Sequence, residues 1–384
     1  MTYLAHDLDD PSIWRRVEML RRGGARVRVA GFRRGQGVLP EEAVVLGKTS
    51  NGRMIQRLRA IAAAWPRIAR RIPQQDETGP EVILARNLEM LALGARLARA
   101  RKRQARLVYE LLDIHGMMLG QGTVARALRR IEAGLLRRTS LVVLSSPAFE
   151  TSHLRHYGRP DLPALLVENK PFTRPGNAAP RAGAAPGGLE EGGPLIIGWF
   201  GMLRCRWSLE VLDQLTRAEP GRFRVILRGR PAMDVMTDFL EVVEANPGLA
   251  FLGPYDWPGD LPGIYAEVDV AWLIDRYQAG QNSDWLLPNR LYEGCLNGAV
   301  PVVLEGTEVA RRVAAWSCGI AVAAPEPDAV AAALSGLDPA RLAVLRAAVA
   351  ALPPTALEMD EAECRRLTAV IGRGFEAPAP VTES

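Results

Sequence analysis

Short apolar runs alternate with helical stretches along this chain, stop at a Pro-, Gly- and Ala-rich stretch, and then begin again; that pattern limits the folds available to it. "TYLA" (2–5), the helical "IWRRVEMLRRGG" (13–24) and the strand-like "ARVRVAGF" (25–32) make a β-α-β opening. "EVILA" (81–85), "ARLVYELL" (105–112) and "SLVVLSS" (140–146) continue it, with helical stretches at 87–103 and 123–138. Strands alternating with helices imply a parallel sheet covered on both faces. Residues 171–193 have no hydrophobic period and read as a linker or exposed loop. The alternation then restarts with "PLIIGWFG" and runs through "SLEVLDQLTRA", "FRVILRG", "AMDVMTDFLEVVEAN", "LAFLGP", "DLPGIYAEV", "DVAWLID" and "PNRLYEGCLNG" to "AVPVVLEG" (299–306).

A chain of 384 residues suits two domains at about 150 residues each. The expected division is 1–170, the linker 171–193, 194–350, and a C-terminal helix and tail over 351–384, with "TALEMDEAECRRLTAVIGRGF" as one amphipathic helix docking on a domain. Cys205, Cys295, Cys318 and Cys364 lie far apart without a His-rich partner segment, so neither a zinc site nor a disulfide framework is expected. The start "MTYLAHDLDDPSIW" is acidic where a signal peptide needs basic residues, and no run of about 18 apolar residues appears, so a cytoplasmic protein is expected.

Polar groups gather where strands are expected to end. "LPNRLYEGCLNG" places Asn289 and Arg290 at the start of a short helix and Glu293 one turn on. "FGMLRCRWS" carries Gly201, where the backbone can approach a ligand, and Arg204 and Arg206. Arg228 ends "VILRGRP", Asp275 ends "DVAWLID", and Asp113 and His115 follow the strand in "ELLDIHG". Asp7 and Asp9 in "HDLDD" form an Asp-x-Asp pair, but Asp10 or Ser12 beside them reads more simply as the cap of the helix that follows.

In this order, "IIGWFGMLRCRWSLEVLDQL", "FRVILRGR", "LAFLGPYDWPGDLPGIYAEVDVAWLID" and "LPNRLYEGCLNGAVPVV" resemble the nucleotide-binding half of GT-B glycosyltransferases, closest to the retaining group called family 4. "DLDDPSIWRRVEMLRRGGARVRVAGFRR" and "VYELLDIHG" resemble the bacterial exopolysaccharide enzymes of succinoglycan biosynthesis. The resemblance implies two Rossmann-like doubly wound domains facing a central cleft, and transfer of a sugar from a nucleoside diphosphate sugar to a lipid-linked or saccharide acceptor without a metal or other cofactor. Glu293 matches the second glutamate of the family's pair and would hold the ribose, with Asn289 and Gly201 beside the nucleotide. Arg204, Arg206 and Arg290 would neutralise the leaving diphosphate. Arg228 and Asp275 would border the nucleotide, and Asp113 and His115 would position the sugar or the acceptor hydroxyl. The family's first glutamate falls at Trp285, with Asp284 and Asn282 as neighbours, and its lysine falls at Trp207.

Net charge is +5, carried almost wholly by arginine. Arg15 and Arg16 are placed to touch an anionic acceptor. "GRMIQRLRAIAAAWPRIARRI" (52–72) and "ARARKRQAR" suit either a peripheral contact with an anionic membrane or a core-facing helix with a basic rim. No nucleic-acid motif accompanies the charge, so no nucleic-acid partner is expected. Two other functions fit the same shape: a catalytically inert scaffold in a polysaccharide assembly complex, and a nucleotide-sugar epimerase.

Overall fold

The computed structural model describes residues 1–35, 37–49, 54–74, 81–101, 105–157, 159, 161–172, 189 and 193–373. Most of the expected linker 171–193 and parts of the two basic stretches lie outside the described residues. The chain forms two units, Met1–Glu168 with the segment from Asp360 onward, and Asn169–Met359.

The first unit is built on a seven-stranded sheet of β1 (Thr2–Ala5), β2 (Arg28–Arg33), β3 (Val44–Lys48), β4 (Glu81–Arg86), β5 (Ala105–Leu111), β6 (Leu141–Leu144) and β7 (Ala164–Leu166), in the order β3-β2-β1-β4-β5-β6-β7. The second holds β8 (Leu195–Leu203), β9 (Phe223–Pro231), β10 (Leu249–Phe251), β11 (Val270–Trp272), β12 (Val300–Leu304) and β13 (Ile320–Val322), in the order β10-β9-β8-β11-β12-β13. Every pairing in both sheets is parallel. Each sheet reverses its strand order beside its first strand, at β1/β4 and at β8/β11. In open parallel sheets such a reversal leaves a crevice at the carboxyl ends of the strands.

The strands form where the sequence offers continuous apolar runs, as expected for sheets buried on both faces. β1 is wholly buried, and Trp199, Phe200 and Trp272 fill the second unit's core. The first core also contains charge. Glu110 on β5 accepts from Tyr3 Oη at 2.6 Å, Arg86 Nε at 2.8 Å and Arg16 Nε at 2.5 Å, all buried. Burial alone would push the Glu110 carboxyl up, but Arg86 and Arg16 outweigh it and hold it at about 2. Arg16 therefore neutralises a core carboxylate, and Arg15 is buried as well, so neither is the exposed arginine that contact with an anionic acceptor was expected to use.

The expected cap of the first helix is present, while several other expected elements change. Asp10 caps the first helix, Pro11–Arg22, accepting from Ser12 N at 2.8 Å. Asp9 instead accepts from Arg33 and from the backbone of Arg34 and Gly35, and Asp7 pairs with Arg34 at 3.3 Å. The long helix expected over 232–246 shrinks to Phe239–Glu244, with turns before it. The C-terminal helix is broken into Pro354–Leu357 and Glu361–Arg373 because Met359 bridges to Phe172 and donates its N–H to Pro171 O at 2.8 Å. Glu361–Arg373 packs on Pro11–Arg22, where Thr368 Oγ1 donates to Leu20 O at 3.2 Å and a Cβ at Gly23 would lie 2.0 Å from Thr368 Oγ1.

Candidate functional site

At the carboxyl end of the second sheet, Gly201 on β8 faces Gly229 on β9 in register. Both have left-handed φ, +100° and +128°, and a Cβ on Gly229 would sit 1.9 Å from Gly201 O. Side chains are excluded from that edge, so the backbone is bare there. Around it stand Tyr255 Oη and Arg290 Cδ, each 3.9 Å from where a Cβ on Gly201 would be.

Pro288 precedes the helix Asn289–Leu296, which starts at Asn289 and carries Arg290 and Glu293 one turn apart on the same side. Arg290 reaches Trp272 O at 3.4 Å. Glu293 is buried and accepts from Trp257 Nε1 at 2.8 Å. Tyr255 lies within the fields of both: burial first, then the Glu293 carboxylate, push its phenol up to about 12, with Arg290 opposing. A carboxylate, a guanidinium and a protonated phenol thus meet beside an open backbone, a set that accepts from a diol and donates to an anion.

The remaining candidates have protein partners. Arg204 pairs with Asp275 at 3.3 Å and lies 5.0 Å over the Tyr277 ring, so these two candidates form one couple. Asp275 also accepts from Tyr277 N at 2.8 Å. Arg206 begins the helix Arg206–Ala218 and pairs with Asp238, which raises the guanidinium and lowers the carboxyl through their hydrogen bonds. Arg228 pairs with Glu267 at 2.9 Å. Trp207 stacks on Trp272 at 6.2 Å, donates to Pro325 O, and lies under the Arg276 guanidinium at 5.4 Å. Of the neighbours of Trp285, Asp284 accepts from Gly280 N at 2.8 Å and Asn282 donates to Gln278 Oε1 at 2.7 Å, so both shape their own loop.

Asp113 and His115 belong to the first unit. His115 caps the short helix Gly116–Leu119, its Nδ1 accepting from Met117 N at 3.3 Å. Burial and then Arg57 lower its pKa, against Asp113. Both residues line a cavity of about 210 Å³ with His6, Arg57, Asn87 and Glu89 at the carboxyl ends of β1, β4 and β5. Among the described residues no group of three or more His, Cys, Asp or Glu is placed to hold a metal ion, and no helix is long and apolar enough to cross a membrane.

Sequence reasoning missed Tyr255, Trp257, His6 and Asn87. The first two sit in "GPYDWPG", which reads as a turn, and only the fold brings their rings to the helix of Glu293. Asn87 had one local signal, a residue tolerant of positive φ directly after a strand; its φ is +69°.

No family model matches the chain. It is 41% identical to the succinoglycan biosynthesis protein ExoL of Rhizobium meliloti (strain 1021) over 373 residues, 95% of this chain and 91% of that one. Among solved structures it is similar to HepE of Anabaena in complex with UDP-glucose, with a TM-score of 0.67 at 17% identity over 96% of this chain and 97% of that one. It is also similar to sucrose-phosphate synthase of Thermosynechococcus elongatus, with a TM-score of 0.68 at 15% identity and the same coverage. With two parallel sheets of this order and a relative that close along nearly its whole length, the chain has the GT-B fold of glycosyltransferases and belongs to the family of the succinoglycan biosynthesis protein ExoL.

Proposed function

We propose that the protein is a glycosyltransferase that moves a sugar from a nucleoside diphosphate sugar to a growing exopolysaccharide unit. The reading is carried by Arg290 and Tyr255, which stand at the bare backbone of Gly201, with Glu293 beside them within the field of Tyr255. Glu293 accepts the ribose hydroxyls, while Arg290, at the first turn of its helix, meets the diphosphate as charge develops on departure. Asn289 and the helix N-terminus border the phosphates. Arg204 acts as one unit with Asp275, and Arg206 and Arg228 contribute through the ion pairs that hold them. His115 and Asp113 position the acceptor hydroxyl. This chemistry needs no metal or other cofactor, and retention of configuration follows from the family resemblance. The chain's relation to ExoL and its likeness to a UDP-glucose complex support a uridine nucleotide donor and an exopolysaccharide product.

The acceptor is proposed to be lipid-linked and reached at the cytoplasmic face of an anionic membrane. Leu58 and Trp65 are 58% and 41% exposed, beside exposed Arg59, Arg67 and Arg70, as an interfacial contact requires.

Calorimetry with UDP, together with a transfer assay, tests the donor site. Replacing Glu293 with Ala removes an acceptor of two hydroxyl bonds, at about 1.5 kcal/mol or more each, so UDP affinity falls on the order of 100-fold. Full affinity in Glu293→Ala rejects the assignment. Failure of the wild-type chain to bind any nucleoside diphosphate favours an inert scaffold.

A further inference from the structure

We propose that Trp257 is a positioning residue for the donor nucleotide: its indole N–H holds the Glu293 carboxylate in one orientation, ready for both hydroxyls of a ribose, and so sets a preference for a ribonucleoside diphosphate over its deoxy forms. This role rests on the reading of Glu293 as the ribose acceptor and adds a residue that acts through that carboxylate.

The last torsion of a glutamate side chain is broad and nearly two-fold, so a carboxylate left to itself spreads over many orientations. Gripping a diol fixes one of them, and that loss of freedom weakens binding unless the protein has imposed it beforehand. Glu293 is 4% exposed, and the Trp257 contact to its Oε1 is 2.8 Å long. An indole N–H only donates, so it pins a carboxylate without offering the arriving hydroxyls a rival acceptor. Both ends of this bond are anchored. Trp257 lies between β10 and the helix Leu261–Ala266 in a turn closed on itself, where Asp256 N donates to Asp260 Oδ2 at 2.8 Å and Asp260 N donates to Asp256 O at 3.0 Å. Leu261, Ile264 and Tyr265 root that helix in the core of the second unit, and the Trp257 ring packs on the same core. On the other side, Gly294 follows Glu293, and a Cβ there would stand 3.2 Å from Ala271 Cβ and 3.3 Å from Tyr265 Cε1. The helix Asn289–Leu296 is therefore set tightly against the two elements that frame the turn. The same turn carries Tyr255 to the Gly201 edge, so one rigid connection orders two donor-site groups.

The test titrates the full chain with UDP and with 2′,3′-dideoxy-UDP by calorimetry, in the wild type, Trp257→Phe, Glu293→Ala and the double variant. Trp257→Phe keeps an aromatic ring on the core and removes the N–H. The wild type should bind UDP more tightly than the dideoxy analogue. Trp257→Phe should weaken UDP about fivefold and leave the analogue unchanged, a selective loss that a general loosening of the turn would not give. In the Glu293→Ala background the same replacement should change neither affinity. Each affinity is read on the folded fraction, so a lower yield of a variant leaves the comparison intact. Equal weakening of both ligands by Trp257→Phe, an undiminished preference for UDP, or a further loss of UDP affinity in the double variant overturns the positioning role while the ribose reading of Glu293 stands. A wild type that binds both ligands equally, or neither, strikes the ribose reading itself and the positioning role with it.

Discussion

Replacing Glu110 with Gln exposes how much of the first unit depends on one core carboxylate. Glu110 answers two buried guanidiniums and a phenol at 2.5–2.8 Å. With its pKa held at about 2 against an ordinary 4.5, a difference of roughly two and a half units, ionised Glu110 favours the folded state by about 3 kcal/mol. The amide introduced by Glu110→Gln keeps the shape and some hydrogen bonds but leaves Arg16 and Arg86 buried without their anion, a loss in the range of about 3–5 kcal/mol for broken buried pairs. Because the folded pKa is depressed, this stabilisation is present above about pH 4.5 and disappears as pH falls towards 2. Amide hydrogen exchange read on β1 and β5 reports the first unit separately from the second. At pH 7 Glu110→Gln should lose about two orders of magnitude or more of protection on those strands, and the gap to wild type should narrow below about pH 4.5. Equal protection at pH 7, or a gap that stays constant down to about pH 3, refutes the reasoning.

At the proposed donor site, Tyr255→Phe should weaken UDP binding about three- to tenfold in calorimetry with no change in melting temperature, since only a hydroxyl is lost. Because the phenol is pushed up to about 12, wild-type UDP affinity should show no tyrosine step between about pH 9 and 10.5. Gly229→Ala should lower the melting temperature of the second unit more than Gly201→Ala, because only at Gly229 does the new Cβ meet backbone, at 1.9 Å. Comparable shifts by scanning calorimetry would show that φ strain, not overlap, dominates that edge.

The doubly wound plan was legible because buried parallel strands are continuous apolar runs separated by helices of strong period, as "LIIGWF" and "LVYELL" illustrate. β3 and β7 escaped notice as short edge strands of mixed exposure, whose pairing depends on a neighbour and not on their own pattern. The helix expected over 232–246 failed at its start, where Val235 and Met236 turn back onto Ala232 O before Phe239 begins the helix proper. Among the candidate site residues, the positions of Glu293, Arg290 and Gly201 were readable because each sits at a fixed offset from a strand end or helix start. Arg16 was misread because a charged residue on a helix gives no sign that a carboxylate from β5 awaits it inside. Tyr255 and Trp257 were invisible because their roles are set by what lies across the fold.

The return of Glu361–Arg373 to the first unit makes that unit discontinuous in sequence. Its last helix seats Cys364, Leu367 and Ile371 out of solvent against a groove floored by Gly23. During synthesis the ribosome must therefore finish the whole second unit before the piece that closes the first unit emerges. Until then the groove stays open, so a nascent chain arrested before Asp360 would present an uncovered apolar seam to chaperones.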